Sequence, residues 1–496
     1  MNMSRLLRTL AVMLATLLLG ACIGVPDRVR HVDLRQQVPL AGLPSTHGGK
    51  WPDAAWWKQY HDPQLDTLIG HALKGDTSLA AARSRVELAR ASARLTAAQV
   101  GLRINGSAQV SRQRMSENGL IPTRFLGFTW YTQGDIGIQG SYDFDLWGGH
   151  RDAVEAAIGE MRAAQAGRSA AALELETGIA RTYFGWLADQ ARLQKARQLV
   201  ASQQHLVRIL KARVDAGLDP SDNLEQARAN YASARELEAA LEGSARIRKA
   251  VLAALIGVAP ANLPPLKPRP LPVAETTLPA DAGLDLIARR PDIAARRWQV
   301  EAAMRGTDAA RTRFFPDLSI SALAGFSSID MGKLLNPGSR VLTITPAVHL
   351  PIFEGGQLRA GFGVSKARLD QAVAQYNNAV LDAARQVATG VLDLDRLRAQ
   401  RRQKDKQLQA VSALESNASA RNRRGITNLI PVLEARARSL SQRDALLQLD
   451  AQILDADVGL IQALGGGYRM RAPVSNTPSA SDPEPANASR QALSHE

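Results

Sequence analysis

Twice in this chain an alternating strand runs directly into a very long stretch without proline, and few folds accommodate that. In the first copy Ile136, Ile138, Tyr142, Phe144 and Leu146 alternate with Asp135, Gly137, Gln139, Ser141, Asp143 and Asp145. A period of two gives a strand one apolar and one polar face. The alternation breaks at Trp147-Gly148-Gly149. The 67 residues from 150 to 216 then contain no proline and are rich in Ala, Arg, Glu, Gln and Leu, which are strong helix formers. An unbroken helix of that length is on the order of 100 Å long, and no compact domain needs one. The second copy alternates from Val341 to Ile352, passes Gly355-Gly356 and continues without proline over 68 residues, 357 to 424. The runs stop at Gly217 and Gly425. The glycine pairs lie 207 positions apart (355 − 148) and the closing glycines 208 (425 − 217), so the chain reads as a duplicated unit. A polar-in, apolar-out strand joined to such a helix is the pattern of a tube.

The remaining segments fall around these two units. Arg5 and Arg8 precede an apolar run, Leu10 to Leu19, too short to span a bilayer and the right length for a signal-peptide core. It ends Leu19-Gly20-Ala21-Cys22, which resembles a bacterial lipobox, and Cys22 is the only cysteine of the chain. The expectation is a signal peptide over 1–21 and covalent diacylglycerol and N-acyl lipid on Cys22. The alternative is an ordinary signal peptide with an incidental cysteine. By resemblance to bacterial lipoproteins, Ile23 in place of Asp after the cysteine favours the outer membrane. Each buried CH₂ of the lipid adds about 0.8 kcal/mol to the anchor. An N-terminal segment covers 22–62 and the first repeat 63–257. A linker over 258–281 carries Pro260, Pro264, Pro265, Pro268, Pro270, Pro272 and Pro279. The second repeat covers 282–466, its first helix running from about Ile287 to Arg313, and a Ser/Pro/Asn/Ala-rich disordered tail covers 467–496.

Each repeat carries two strands. Strand one runs from Ile104 to Arg112, and a polar loop from Ser116 to Phe125 separates it from strand two. Strand three sets Leu318, Ile320, Ala322, Ala324 and Phe326 against Ser319, Ser321 and Ser327. Strand four sets Leu342, Ile344, Val348, Leu350 and Ile352 against Thr343, Thr345 and His349. Four strands with a lipid-compatible face cannot span a membrane alone, because open edges leave unpaired N–H and C=O groups in hydrocarbon. Nor can four close a barrel. Several copies must contribute to one closed ring, and the pattern allows 8 strands from two chains or 12 from three.

Composition removes other classes. Aromatic residues are 5% of the chain, which argues against a large aromatic core and for closely packed alanine-rich helices. The net charge is +14, or +12 once Arg5 and Arg8 leave with the leader. A soluble basic coiled-coil protein that binds nucleic acid would share that charge. Here the arginines are scattered beside Glu, Asp and Gln as on solvated helix faces, and the leader and amphipathic strands oppose that reading. The eight histidines are dispersed with none paired at i+4, so no metal-site spacing exists. No P-loop, nucleophile elbow or dinucleotide fingerprint follows a strand. No enzyme, metal or cofactor is expected, and His349 reads as a water-facing strand residue.

With the duplicated unit, the lipobox and Arg289-Arg290-Pro291-Asp292-Ile293 in view, the chain resembles the outer membrane efflux protein family. It is similar to the lipoprotein branch of outer membrane factors that serve resistance-nodulation-division pumps. Trp57…Asp62-Pro63, Phe315-Pro316-Asp317-Leu318 and both turn glycines fit as well, and the resemblance covers roughly residues 50–466. It implies a homotrimer with a 12-stranded β-barrel, a 12-helix periplasmic tunnel, and an equatorial region of short helices and termini. The function implied is a passive outer membrane exit duct for multidrug efflux, coupled through a periplasmic adaptor to an inner membrane pump. A type I secretion duct for polypeptides shares the architecture and usually lacks the lipobox. The family closes its tunnel with acidic residues after the second-repeat turn. The matching position here is Glu434, while Pro431 departs from the pattern, and the first-repeat region holds Asp222 and Glu225. Glu434 can equally be a solvated helix carboxylate. Gly217, Leu218, Gly425 and Ile426 are turn residues, and by resemblance such tips also meet the adaptor.

Overall fold

The computed structural model describes residues 25–28, 32–40, 42–43, 49–116, 125 and 127–470. The leader, Cys22, the Asn118-Gly119 loop and the tail from 471 onward lie outside them. After a 3₁₀ turn at Trp56–Tyr60, helix α1 (Pro63–Gly75) opens where its sequence dictates. Asp62 accepts the Gln64 N–H at 2.9 Å and Pro63 sits at the first helical position, which needs no N–H. Asp76 caps α2 (Thr77–Gln99) in the same way, accepting from the Leu79 N–H at 2.9 Å.

The strands β1 (Arg103–Arg114), β2 (Trp130–Phe144), β3 (Asp317–Ser328) and β4 (Arg340–His349) form one antiparallel sheet in that order. Its register gathers each repeat's alternation onto common faces. Ile138 stands opposite Gly106 and Ala324, and Ala324 opposite Leu342. On the other face Asp135 stands opposite Gln109 and Ser327, and Ser321 opposite Ser141 and Thr345. The apolar face is uncovered: Ile138 is 59% and Leu342 75% exposed. Among the described residues no strand pairs with the outer edge of β1 or of β4. Strand four ends at His349 and not at Ile352, because Pro351 has no N–H to continue the ladder.

Both long helices form without a break: α3 (Gly149–Asp215) and α7 (Gln357–Arg423), 67 residues each. Their N-caps are Gly148 at φ 80° and Gly356 at φ 88°. The structural equivalents are therefore 208 positions apart (356 − 148), the same offset as Gly217 to Gly425, and the 207 read from the glycine pairs is corrected by one. The return helices are α4 (Ser221–Leu255) and α8 (Ile430–Ala463). The helix expected from Ile287 to Arg313 is in fact two, α5 (Ala282–Arg289) and α6 (Pro291–Thr312). Proline disfavours helical geometry in the residue before it, and Arg290 is extended at φ −104°, ψ 119°.

Helix α3 packs against α2, α4, α6 and α8, and α7 against α6 and α8. Nearer the sheet the layer therefore runs α2–α3–α6–α7, and nearer the turns α4–α3–α8–α7. It is four helices wide at either level, with the duplication visible as two half-length helices stacked on each full-length one. The core lies at mid-height and differs from the alanine-dominated packing expected from composition. Trp56, Tyr60, Tyr183, Phe184 and Trp186 are all buried in one cluster. A low overall aromatic content does not prevent concentration in one place.

Candidate functional site

At the far end of each helical hairpin the turn chemistry is the same. Gly217 (φ 72°) donates its N–H to Val214 O at 2.9 Å, and Leu218 to Arg213 O at 2.8 Å. Gly425 (φ 73°) donates to Asn422 O at 2.9 Å, and Ile426 to Arg421 O at 3.0 Å. These are Schellman closures, which require the left-handed residue that glycine supplies. In such closures the apolar residue after the glycine often packs back on its helix. Here Leu218 and Ile426 are each 65% exposed. Just above, Leu206, Leu210, Leu224, Ala227 and Leu433 join the two hairpins. Glu434 follows Leu433 on α8, and Asp222 lies in the first turn of α4. Both are exposed, and among the described residues neither has an ion-pair or side-chain hydrogen-bond partner.

The helical layer has two unlike faces. One is covered by extended chain. Arg28 clamps Asp308 of α6 through two hydrogen bonds of 3.0 and 3.1 Å, and Arg311 donates to Pro26 O at 2.8 Å. Tyr376 of α7 donates to Arg35 O at 3.0 Å, and Asn377 to Asp33 O at 2.9 Å. The Pro-rich linker continues the cover: Asp457 of α8 accepts from the Thr276 N–H at 3.0 Å, and Arg398 of α7 donates to Thr276 O at 3.1 Å. The other face carries three open grooves of about 860, 410 and 570 Å³. Their lining residues recur along α7 from Gln357 to Gln407 at three- and four-residue spacing. Two residues along a helix is a rotation of about 200°, which puts the faces back to back. Arg181 lies in a groove and Tyr183 in the core. Asp455 and Gly459 lie in a groove, and Asp457 between them under the linker. Glu434 is 21 residues, about six turns, before Asp455, and so belongs to the grooved face.

Between those faces lies a buried polar network. Asp457 is fully buried and accepts from Tyr60 Oη at 2.5 Å, and burial raises its pKa. Asp62 accepts from Tyr183 Oη at 2.8 Å. Arg290 forks onto Asp292 at 2.7 and 3.0 Å and donates to Gln386 Oε1 and Ala463 O, at 2.9 and 3.0 Å. That accounts for Arg290 and Asp292 in the Arg-Arg-Pro-Asp-Ile stretch: they join α6, α7 and the end of α8. Asp457 was missed in the sequence, although its place in the stripe Leu454, Val458, Ile461 marks a buried carboxylate. Glu176, 8% exposed, accepts from Trp56 Nε1 at 3.1 Å, and burial raises its pKa to about 7. A folded-state pKa above the ordinary 4.5 means that stability falls as pH rises through the window from about 4.5 to 7. Glu176→Gln keeps an acceptor for Trp56 and removes the charge. We expect it to raise the melting temperature at pH 8, by the equivalent of up to about 3 kcal/mol, and to leave it unchanged at pH 4. Calorimetry at the two pH values checks this.

The fold is shared with known proteins. The sequence pattern of the outer membrane efflux protein family matches residues 68–258 and 284–466. The chain belongs to that family. It is 34% identical to the multidrug resistance outer membrane protein MdtP of Escherichia coli O6:H1 over 476 residues, 94% of this chain and 98% of that one. It is 32% identical to the putative multidrug resistance outer membrane protein MdtQ of Shigella flexneri over 465 residues, covering 91% and 96%. Among solved structures, the outer membrane protein VceC of Vibrio cholerae superposes with a TM-score of 0.76 at 30% identity, covering 84% of this chain and all of that one. The outer membrane channel OprN superposes with a TM-score of 0.80 at 25% identity, covering 90% and 99%. This member of the outer membrane efflux family is accordingly an efflux channel of the outer membrane that extends into the periplasm.

Proposed function

We propose that three copies of this chain form the exit duct of a tripartite multidrug efflux system, with a 12-stranded barrel in the membrane and a 12-helix tunnel below it. The observation that carries this is the four-stranded sheet with one apolar face, one polar face and two open edges. In hydrocarbon those edges must pair, and the pairing partner is the opposite edge of another copy. Two copies would give eight strands, whose interior side chains fill. Three leave a lumen, and three four-helix layers continue it. The duct is passive, without catalytic, metal or cofactor chemistry of its own. A periplasmic adaptor meets the exposed Leu218 and Ile426 at the glycine turns and links the duct to an inner membrane resistance-nodulation-division pump. The names of MdtP and MdtQ support the multidrug assignment. Native mass spectrometry in detergent should give a trimer, and a stable monomer or dimer would overturn the architecture.

Cys22 carries the diacylglyceryl and N-acyl lipid in this reading. Pro26, four residues on, is held by Arg311 at the end of α6, six residues before β3 begins at Asp317. That is the level at which helix gives way to sheet, within reach of the inner leaflet. Cys22→Ser should lose palmitate labelling while the sheet still inserts, and labelling that survives the substitution would sink the lipid anchor.

A further inference from the structure

The grooved face has a composition unlike the rest of the chain. Its three grooves are lined by eleven glutamines and only seven charged residues, four basic and three acidic. Near the turns the imbalance is greatest: Gln400, Gln403, Gln407, Gln448 and Gln452 line one groove whose sole ionic group is Lys404. The middle groove holds more charge, but it is paired. Arg181 lies 3.6 Å from Asp455, and Arg396 lies 2.6 Å from Asp393. We propose that this face is the wall of the duct, and that the wall is an amide surface that passes cationic, anionic and neutral solutes alike. The inference rests on the exit-duct reading. The first half follows from the chain that covers the opposite face. The strap leads toward the lipid on Cys22, which must lie outside the tube, so the face turned away from it looks inward. The second half follows from chemistry. A primary amide offers two donors and an acceptor without net charge, so it replaces water around a permeant of either sign and imposes no long-range field. Threefold symmetry triples any unpaired charge, and a wall rich in one sign would focus that field along the tube. Discrimination by charge is thereby left to the hairpin tips.

The native chain has one cysteine, Cys22, so an introduced cysteine is a clean reporter. Gln403→Cys on α7 and Gln452→Cys on α8 place the thiol in the lower groove. Gln409→Cys, eleven residues or three turns beyond Arg398, places it on the covered side. Channels in planar bilayers are treated from the barrel side with a cationic or an anionic methanethiosulfonate, each normalised to its rate with a free thiol. Both groove variants should lose current with both reagents, at rates within about threefold of each other. Gln409→Cys and wild type should lose none. Groove variants that form channels but keep full current would overturn the wall assignment. A rate ratio above roughly thirtyfold would overturn the charge-blind wall. A wild-type chain that forms no channels at all would instead overturn the duct reading, and this inference with it.

Discussion

Ile138→Arg is expected to remove the protein from the outer membrane, whereas Gln139→Arg, one position on, should leave trimers and export intact. Ile138 is the ninth of the 15 residues of β2, midway along the strand, on the apolar face between Gly106 and Ala324. An arginine facing lipid at the bilayer midplane costs about 2–4 kcal/mol, and the proposed trimer carries it three times, roughly 6–12 kcal/mol in all. That is comparable to the whole stability of an ordinary domain. Gln139 points to the opposite face beside Asn105 and Leu323, where a charged side chain remains in water. Seminative gel electrophoresis of outer membrane fractions reads both outcomes. Equal loss in the two variants would refute the division of the sheet into a lipid face and a water face.

The apolar and polar faces of the sheet were legible in the sequence because period-two alternation survives folding unchanged. Every strand kept its faces, and only the ends moved, as where Pro351 stopped β4 short of Ile352. The long helices were legible for a similar reason: an absence of proline over such a span leaves few alternatives, and glycine marks the stop. What could not be read was how distant segments meet. Nothing local to Thr276 says that its N–H reaches Asp457, 181 residues away. Nothing in a 5% aromatic content says that Trp56, Tyr60, Tyr183, Phe184 and Trp186 share one cluster. The break at Pro291 was open to reading as well: proline disfavours helical geometry in the residue before it, and it divides the helix expected from Ile287 to Arg313 into α5 and α6. The two faces of the helical layer needed the strap and linker contacts before Glu434 could be placed on one of them.

Glu434→Ala is expected to raise the single-channel conductance and to weaken block by cations, through one of two separable causes. The residue is exposed, lies five positions into α8 and shares the grooved face with Asp455. In the proposed trimer it would bring three carboxylates to the hairpin tips, each facing two like charges. Such a ring attracts cations. Alanine removes both the charge and most of the side chain, so it opens the ring by size and by electrostatics at once. Glu434→Gln keeps the size and removes the charge. If charge governs the ring, the glutamine variant loses cation block as alanine does. If size governs it, glutamine conducts like wild type and only alanine leaks. Asp222→Asn, in the first turn of α4, distinguishes a ring built from one repeat from one built from both. Should both Glu434 variants conduct and block like wild type, Glu434 is a solvated helix carboxylate and Asp222 becomes the candidate for closing the tip.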